Sequence, residues 1–341
     1  MTTRCLPAEW AEQDGVLLAW PHRESDWAPC LDAVEPVFCT IATTISRFES
    51  VLIVAPDQAG VHALLKNAGA TMERVRIVGI PTNDTWSRDF GPITVHDNGQ
   101  PLLLDFGFNG WGLKFAANLD NQVTRLLAEA GAFRAERRTV GMILEGGSIE
   151  SDGCGTILTT AECLLSANRN PHLSRKEIER TLGDEFGADH FLWLGNGYLA
   201  GDDTDSHIDT LARLCPDDTI LYATCDDPGD EHYPALTAMA AELGAFRTRS
   251  GKPYRLIPLP WPAPSFDTAG ERLPATYANF LIVNGAVLVP TYADARDEQA
   301  LAAVRLAFPD REIIGVDCRP LILQHGSLHC VTMQLPRGTL S

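Results

Sequence analysis

Several features that would assign a function at once are missing from this sequence. Its nine cysteines are an odd number, scattered, with no CxxC pair and no Cys/His spacing of a zinc site. That argues against a disulfide framework and against structural zinc. Most of the cysteines read as small buried hydrophobes of a reducing compartment, and one is free to be a nucleophile. Basic residues are scarce: 27 Lys and Arg stand against 45 Asp and Glu, a net charge of -18. Nucleic-acid binders need the opposite sign, so no nucleic-acid partner is expected. No stretch approaches the roughly 20 apolar residues that cross a bilayer, so no membrane partner is expected either. The opening MTTRCLPAEWAEQDG sets acids ahead of the short apolar run Val16 to Trp20, unlike a secretory signal, which makes the expected location cytoplasmic. There is no low-complexity tract and no linker. A chain of 341 residues often means two domains, but here one domain over 1–341 is expected.

What is present is ordinary globular composition, 45% hydrophobic and 21% charged, enough to bury a sizeable core. The acidic excess suits a small cationic substrate, although acidic surfaces also serve solubility alone.

A weak internal repeat carries more information. Five times, a polar residue leads a β-rich run, and four of these are followed by a turn and a returning run. Asp89 leads GPITV, the turn His96–Gly99 and PLLLDF. Glu145 leads GGSIE, the turn Asp152–Gly155 and TILTT. His207-Ile208-Asp209 leads TLARL, the turn Pro216–Asp218 and TILYAT. Asn279 leads FLIV, the turn Asn284-Gly285 and AVLVPTY. The last run, SLHCVTMQLP, holds Cys330. Asn-Gly between apolar runs is a strong hairpin signal. The patterns NQVTRLLAEAGA, RKEIERTLGDEFG, HYPALTAMAAELGAF and DEQALAAVRLAF fall between these segments with helical apolar spacing. The leading residues lie 56, 62, 72 and 51 positions apart. Five such units around an axis would bring the five leaders into one site.

That site would join a thiol and an imidazole, the pair used in nucleophilic catalysis, to three carboxylates. Carboxylates grip the planar, five-donor guanidinium well. His207 and Asp209 share a face if the segment is a strand and diverge if it is a helix. Each residue also has a bland alternative. Asp89 before Gly91-Pro92 could be a turn former, Glu145 and Asp203 solvated loop acids, and Cys330 a structural thiol in an apolar run.

The stretches PAEWAEQDGVLLAWPH, NDTWSRDFGP, FNGWG, LEGGSIESDGCGT, ANRNP, DDTDSHIDTLARL, ANFLIVNGAVLVPTY and HGSLHCVTMQLP occur in order along nearly the whole chain. Through them the chain resembles the agmatine deiminase and Porphyromonas-type peptidylarginine deiminase family of the guanidino-group-modifying superfamily. The resemblance implies a pentein fold, a five-bladed pseudosymmetric α/β propeller of ββαβ-like repeats. It implies a hydrolase acting on linear amidines that converts agmatine to N-carbamoylputrescine and ammonia through a covalent amidino-cysteine, as in putrescine biosynthesis. Cys330 would be the nucleophile and His207 the general acid and base. Asp89 and Asp209 would hold the guanidinium nitrogens, and Glu145 would bond to the His207 ring. Asn279 would line the site, Trp86 and Trp111 would form the substrate wall, and Asp203 would receive the far amine. The chemistry implied needs no cofactor and no metal, and it allows a homo-oligomer. A deiminase of free or peptidyl arginine and a non-catalytic guanidino-binding module are the rival readings. One departure stands out: family members with a GGGNIHC approach to the cysteine differ from the Gln324-His325-Gly326-Ser327-Leu328-His329-Cys330 found here.

Overall fold

The computed structural model describes residues 4–341. It is a mixed α/β fold in which one arrangement recurs: an antiparallel hairpin, a helix, then a strand parallel to the hairpin's second arm. Ile93–Asp97 and Gln100–Gly107 pair antiparallel, and Glu136–Ile143 returns parallel to the latter after the helix Val123–Glu129. Ile149–Ser151, Thr156–Thr160 and His190–Leu194 repeat this around the helix Arg175–Phe186. Ala212–Cys215, Thr219–Ala223 and Arg255–Leu259 do so around Tyr233–Ala245. Leu281–Val283, Ala286–Thr291 and Glu312–Asp317 do so around Asp297–Ala307. The fifth unit is split between the two ends of the chain. The late strand Thr332–Pro336 pairs antiparallel with the early strand Gln13–Ala19, which is followed by the helix Leu31–Ser46 and the parallel strands Ser50–Val54 and Val75–Val78.

All four helical patterns read from the sequence form helices. The Arg175–Phe186 helix shows why: Ser174 and Glu177 close a reciprocal capping box at its start, and Gly187 ends it at φ 68°. The membrane expectation needs one correction. The continuous helical stretch Ala28–Ser46 is 19 residues long with a mean hydropathy of 1.2, which reaches spanning length and composition. The structure puts Val34, Phe38, Ile41, Ala42 and Ile45 of this stretch in the core. One large core runs under most of the units, and a second cluster, including Ile208, Leu211, Met239 and Trp261, lies under the third.

In every unit the segment just before the first hairpin strand is a tight turn. Ser87–Phe90 is a single helical turn, and Gly146–Ser148 and Ile208–Thr210 are 3-10 turns. These turns are tied to one another. Ser87 Oγ donates to the carbonyls of Leu17 and Val331 at 3.0 and 2.9 Å, and the Arg88 amide donates to the Cys330 carbonyl at 3.2 Å. The fold therefore collects five chain-remote turns at one place.

Candidate active site

Those turns carry Asp89, Glu145, His207, Asp209, Asn279 and Cys330, all of them buried. The segment of His207 and Asp209, left open between strand and helix by the sequence, is neither a strand nor a regular α-helix. His207 caps a 3-10 turn and Asp209 lies inside it, and the first strand starts only at Ala212. They converge regardless, and Gly147 shows where. A Cβ at Gly147 would stand 2.7 Å from His207 Nδ1, 2.9 Å from Asp89 Oδ1 and 3.1 Å from Asp209 Oδ2. Three functional groups thus face one point of backbone that has no room for a side chain.

Asp89 is oriented by two donors, Trp111 Nε1 to Oδ2 at 2.9 Å and the Gly147 amide to Oδ1 at 3.0 Å. His207 Nδ1 lies 3.6 Å from Asp89 Oδ1. Asp209 Oδ2 is 2.7 Å from His329 Nδ1 and 3.8 Å from Cys330 Sγ. The Asn279 amide clamps the Cys330 turn. Its Oδ1 accepts from the His329 amide at 2.8 Å and the Cys330 amide at 3.3 Å, and its Nδ2 donates to Cys330 Sγ at 3.2 Å. Two atoms of these side chains, His207 Nε2 and Asp209 Oδ1, are buried with no hydrogen-bond partner among the described residues.

The expected hydrogen bond from Glu145 to His207 is not formed. Glu145 instead accepts from Arg169 Nε at 2.8 and 3.0 Å, and both side chains are fully buried. A fixed guanidinium 24 residues downstream has taken the carboxylate. Glu145 stays close to the imidazole: one donor atom each from Glu145, Cys163 and His207 lie within 4.8 Å of one another. This is the one set of donors with metal-like spacing found among the described residues, and it already contains the charge of Arg169 on its carboxylate. Cys163 was not singled out by sequence reasoning, since an interior thiol in an apolar segment gives no signal.

Electrostatics follow from burial. The Cys330 thiol is pushed well above its ordinary value by burial and by the carboxylates of Asp209 and Asp89. Burial drives His207 down to about 3, against the pull of Asp209, so the free imidazole is neutral at pH 7. Asp89 is raised by burial and by Asp209. For Asp209, burial works upward but the hydrogen bond from His329 outweighs it, and the net direction is down; His329 is itself lowered by burial and by Arg213, so the hydrogen bond rather than a full ring charge carries the effect. Glu145 is raised by burial, opposed by Arg169.

Above the thiol opens a cavity of about 200 Å³ whose lining includes Trp86, Asp89, Trp111, Phe115, Asp203 and Cys330. Asp26, Asp84 and Asp202 line it as well, and no Arg or Lys does. The carboxylate of Asp202 is spent on the turn it caps, accepting from Thr204 and Ser206. That of Asp203 makes no hydrogen bond within the described protein; only its carbonyl does, accepting from Lys114 Nζ at 2.6 Å. Trp86 packs at a tilt of 45° against Trp27, ring centroids 5.5 Å apart, and lies against Gly326, where any Cβ would collide with the indole. The altered HGSLHC segment thus keeps the glycine the tryptophan wall requires. Its His325 sits at φ 67° and lines the cavity, with Nδ1 donating to the Gly201 carbonyl at 2.8 Å.

Fold and site together define a hydrolase that acts on guanidino C–N bonds. The chain belongs to the Porphyromonas-type peptidyl-arginine deiminase family, whose model matches residues 5–336. It is 37% identical to an agmatine deiminase of Pseudomonas aeruginosa, over 97% of this chain and 95% of that protein. Among solved structures it is similar to a substrate-bound cysteine-to-serine variant of C. jejuni agmatine deiminase, at 41% identity, TM-score 0.92 and coverage of 99% and 97%. A Porphyromonas gingivalis structure provisionally described as an arginine deiminase is 51% identical, with TM-score 0.95 and coverage of 99% and 100%.

Proposed function

We propose that this protein is an agmatine deiminase that works through a covalent amidino-cysteine on Cys330. One observation carries the reading: Asp89 Oδ1, Asp209 and His207 face a single point beside a buried thiol, under a cavity rich in carboxylates and without Arg or Lys. A planar cation bearing N–H donors complements Asp209 Oδ1, which has no partner among the described residues.

Asp89 and Asp209 hold the guanidinium nitrogens. The bound cation offsets the carboxylates that keep the thiol protonated, so substrate itself favours the thiolate. The Asn279 amide donates to the same sulfur. As the S–C bond forms, the thiol proton passes to neutral His207. His207 returns it to the departing nitrogen as the C–N bond breaks and ammonia leaves. In the second half a water gives its proton to His207, the O–C bond forms and the C–S bond breaks. The hydroxyl proton of the adduct returns to the sulfur, which restores the thiol and gives the neutral ureido compound; His207 releases the surplus proton of the original cation to solvent, where ammonia takes it up as ammonium. Glu145, anchored by Arg169, is a fixed negative wall beside the ring. Trp86 and Trp111 flank the substrate stem, and Asp203 takes the far ammonium.

The P. gingivalis relative favours an arginine-directed reading instead. Such a substrate brings a carboxylate that needs a cation. Arg169 is committed to Glu145, Asp205 and the Thr204 carbonyl, and Arg88 to Glu9 and Gln334. The five units are read as the blades of a five-bladed pentein propeller forming one domain over 1–341. The protein acts in the cytoplasm on a small cationic guanidino substrate in putrescine formation, without nucleic acid or membrane; self-association is compatible with this. The test is a panel of agmatine, arginine and a peptidyl arginine, with ammonia and ureido product measured. Agmatine should lead in kcat/KM by at least about 100-fold. An arginine substrate equal to or better than agmatine overturns the assignment.

A further inference from the structure

The two carboxylates proposed to grip the guanidinium are held differently. Asp89 takes neutral donors, an indole and a backbone amide. Asp209 takes one close side-chain donor, His329 Nδ1 at 2.7 Å, beside a long contact from the Cys330 thiol at 3.8 Å. Because a carboxylate can only accept, the ring hydrogen at Nδ1 must point to Asp209 whatever the charge of the ring. The other nitrogen, Nε2, meets Glu9 at 2.8 and 3.1 Å and Arg213 Nη2 at 3.0 Å. His329 is fully buried, as are Asp209 and Arg213.

No neighbour can replace this donor. Arg213 spends Nε on Glu150, Nη1 on the carbonyls of Ala278 and Phe280, and Nη2 on Glu9. Arg88 is held by Glu9 and Gln334. The titratable and charged groups that face the pair are Glu9, Arg88, Glu150, Arg213 and Cys330, with Asp89 and His207 across the site. Arg213 and Arg88 are bound to other carboxylates, so without His329 a wholly buried Asp209 would keep only the long thiol contact from Cys330 at 3.8 Å, which is lost once the sulfur is ionised.

We propose that His329, backed by Glu9, is the positioning residue for Asp209. It holds Oδ2 by Nδ1–H, leaves Oδ1 free for the substrate, and keeps this carboxylate ionised while its partner Asp89 is not so favoured. The opposite directions in which burial and His329 move Asp89 and Asp209 agree with this. The proposal deepens the deiminase reading and rests on it for its kinetic arm only.

The experiment compares His329→Leu, His329→Asn and His329→Gln in the full chain, each checked for folding by thermal unfolding. Asparagine can place an N–H near the old Nδ1 position, whereas glutamine places one nearer Nε2. His329→Leu and His329→Gln should lower kcat/KM for agmatine by about 100-fold and raise the acidic limb of its pH profile by about one unit. His329→Asn should recover at least about a tenth of the activity and return the limb towards wild type. A second arm needs no substrate: the pH midpoint for alkylation of Cys330 by iodoacetamide. It should fall in the leucine and glutamine variants, because Asp209 loses the charge that opposes the thiolate. Unmoved limb and midpoint, or equal behaviour of the asparagine and glutamine variants, overturns the proposal. If wild type does not deiminate agmatine, the functional reading fails while the alkylation arm still decides the role of His329.

Discussion

The floor of the site and its rim are built by different means. Every chemistry-bearing floor residue sits in a turn just ahead of a unit's first strand. The sheets fix these turns, and hydrogen bonds such as Ser87 to Val331 and Arg88 to Cys330 join them. The rim is made of loops in costly backbone conformations. Trp111 (φ 54°), Leu113 (φ 70°), Asp205 (φ 64°), Ser206 (φ 60°) and His325 (φ 67°) all lie in the left-handed region. Each costs on the order of 1–2 kcal/mol for a side-chain-bearing residue. Ion pairs hold this rim: Lys114 bonds Asp205 at 2.7 Å, and Arg169 reaches from Glu145 in the floor to Asp205 and the Thr204 carbonyl. The floor is specified by topology and the rim by local strain that side-chain contacts hold in place. On the proposed reading, chemistry belongs to the first and substrate choice to the second.

Substitutions can break that division or sharpen it. The largest expected effect is in the floor. Cys330→Ser should lower kcat by at least about 1,000-fold, because no base beside a neutral imidazole suffices for a hydroxyl; burst and steady-state ammonia assays check it, and more than about 1% residual activity removes the covalent role. Next, Gly147→Ala forces a methyl among His207, Asp89 and Asp209. Its kcat/KM should drop about 100-fold with little change in melting temperature, and near-wild-type activity would mean that those groups need not meet there. Arg169→Met attacks a residue whose ion pairs join floor and rim. It leaves Glu145 buried and unpaired, a loss of about 3–5 kcal/mol that calorimetry or denaturant titration should register. In the rim, Asp203→Asn should raise KM for agmatine about tenfold and leave kcat unchanged; a fall in kcat instead would put Asp203 with the floor.

The smallest effect is a pH dependence. Burial raises Asp84 to about 6, against the hydrogen bonds from Thr85, Trp27 and Trp86. Its folded value is above the ordinary one. It therefore favours folding fully below the ordinary carboxylate range, and this contribution is lost as pH rises through about 6. Over the same window the carboxylate becomes charged beside a cationic substrate. KM for agmatine should fall about threefold between pH 5 and 7 in wild type and stay flat in Asp84→Asn.

The same division accounts for what could be read from the sequence. The hairpins and helices were legible because turn chemistry and apolar spacing are local, and the even placement of the leading polar residues pointed to convergence. Two floor details were not legible. The sequence leaves His207-Ile208-Asp209 open between strand and helix, whereas a 3-10 turn swings both groups toward Gly147. Glu145 was paired with His207, but the carboxylate goes to Arg169, a competition that only three-dimensional placement settles. In the rim, nothing in the one-dimensional pattern marks Lys114 or the left-handed backbone of Asp205 and His325, because positive φ at a residue other than glycine is imposed by distant contacts. The hairpin Ser265–Phe266 with Arg272–Leu273 also lies outside the repeat and left no periodic trace.

The strand that follows Cys330 finds its partner some 315 residues earlier, between Thr332 and Leu18. A growing polypeptide makes that partner first and must wait for nearly all the rest before the last strand can dock. Until then the sulfur has no Asn279 clamp around it and no carboxylates gathered at its side. On the proposed reading, the chemistry at Cys330 therefore begins only once the first and last strands have paired.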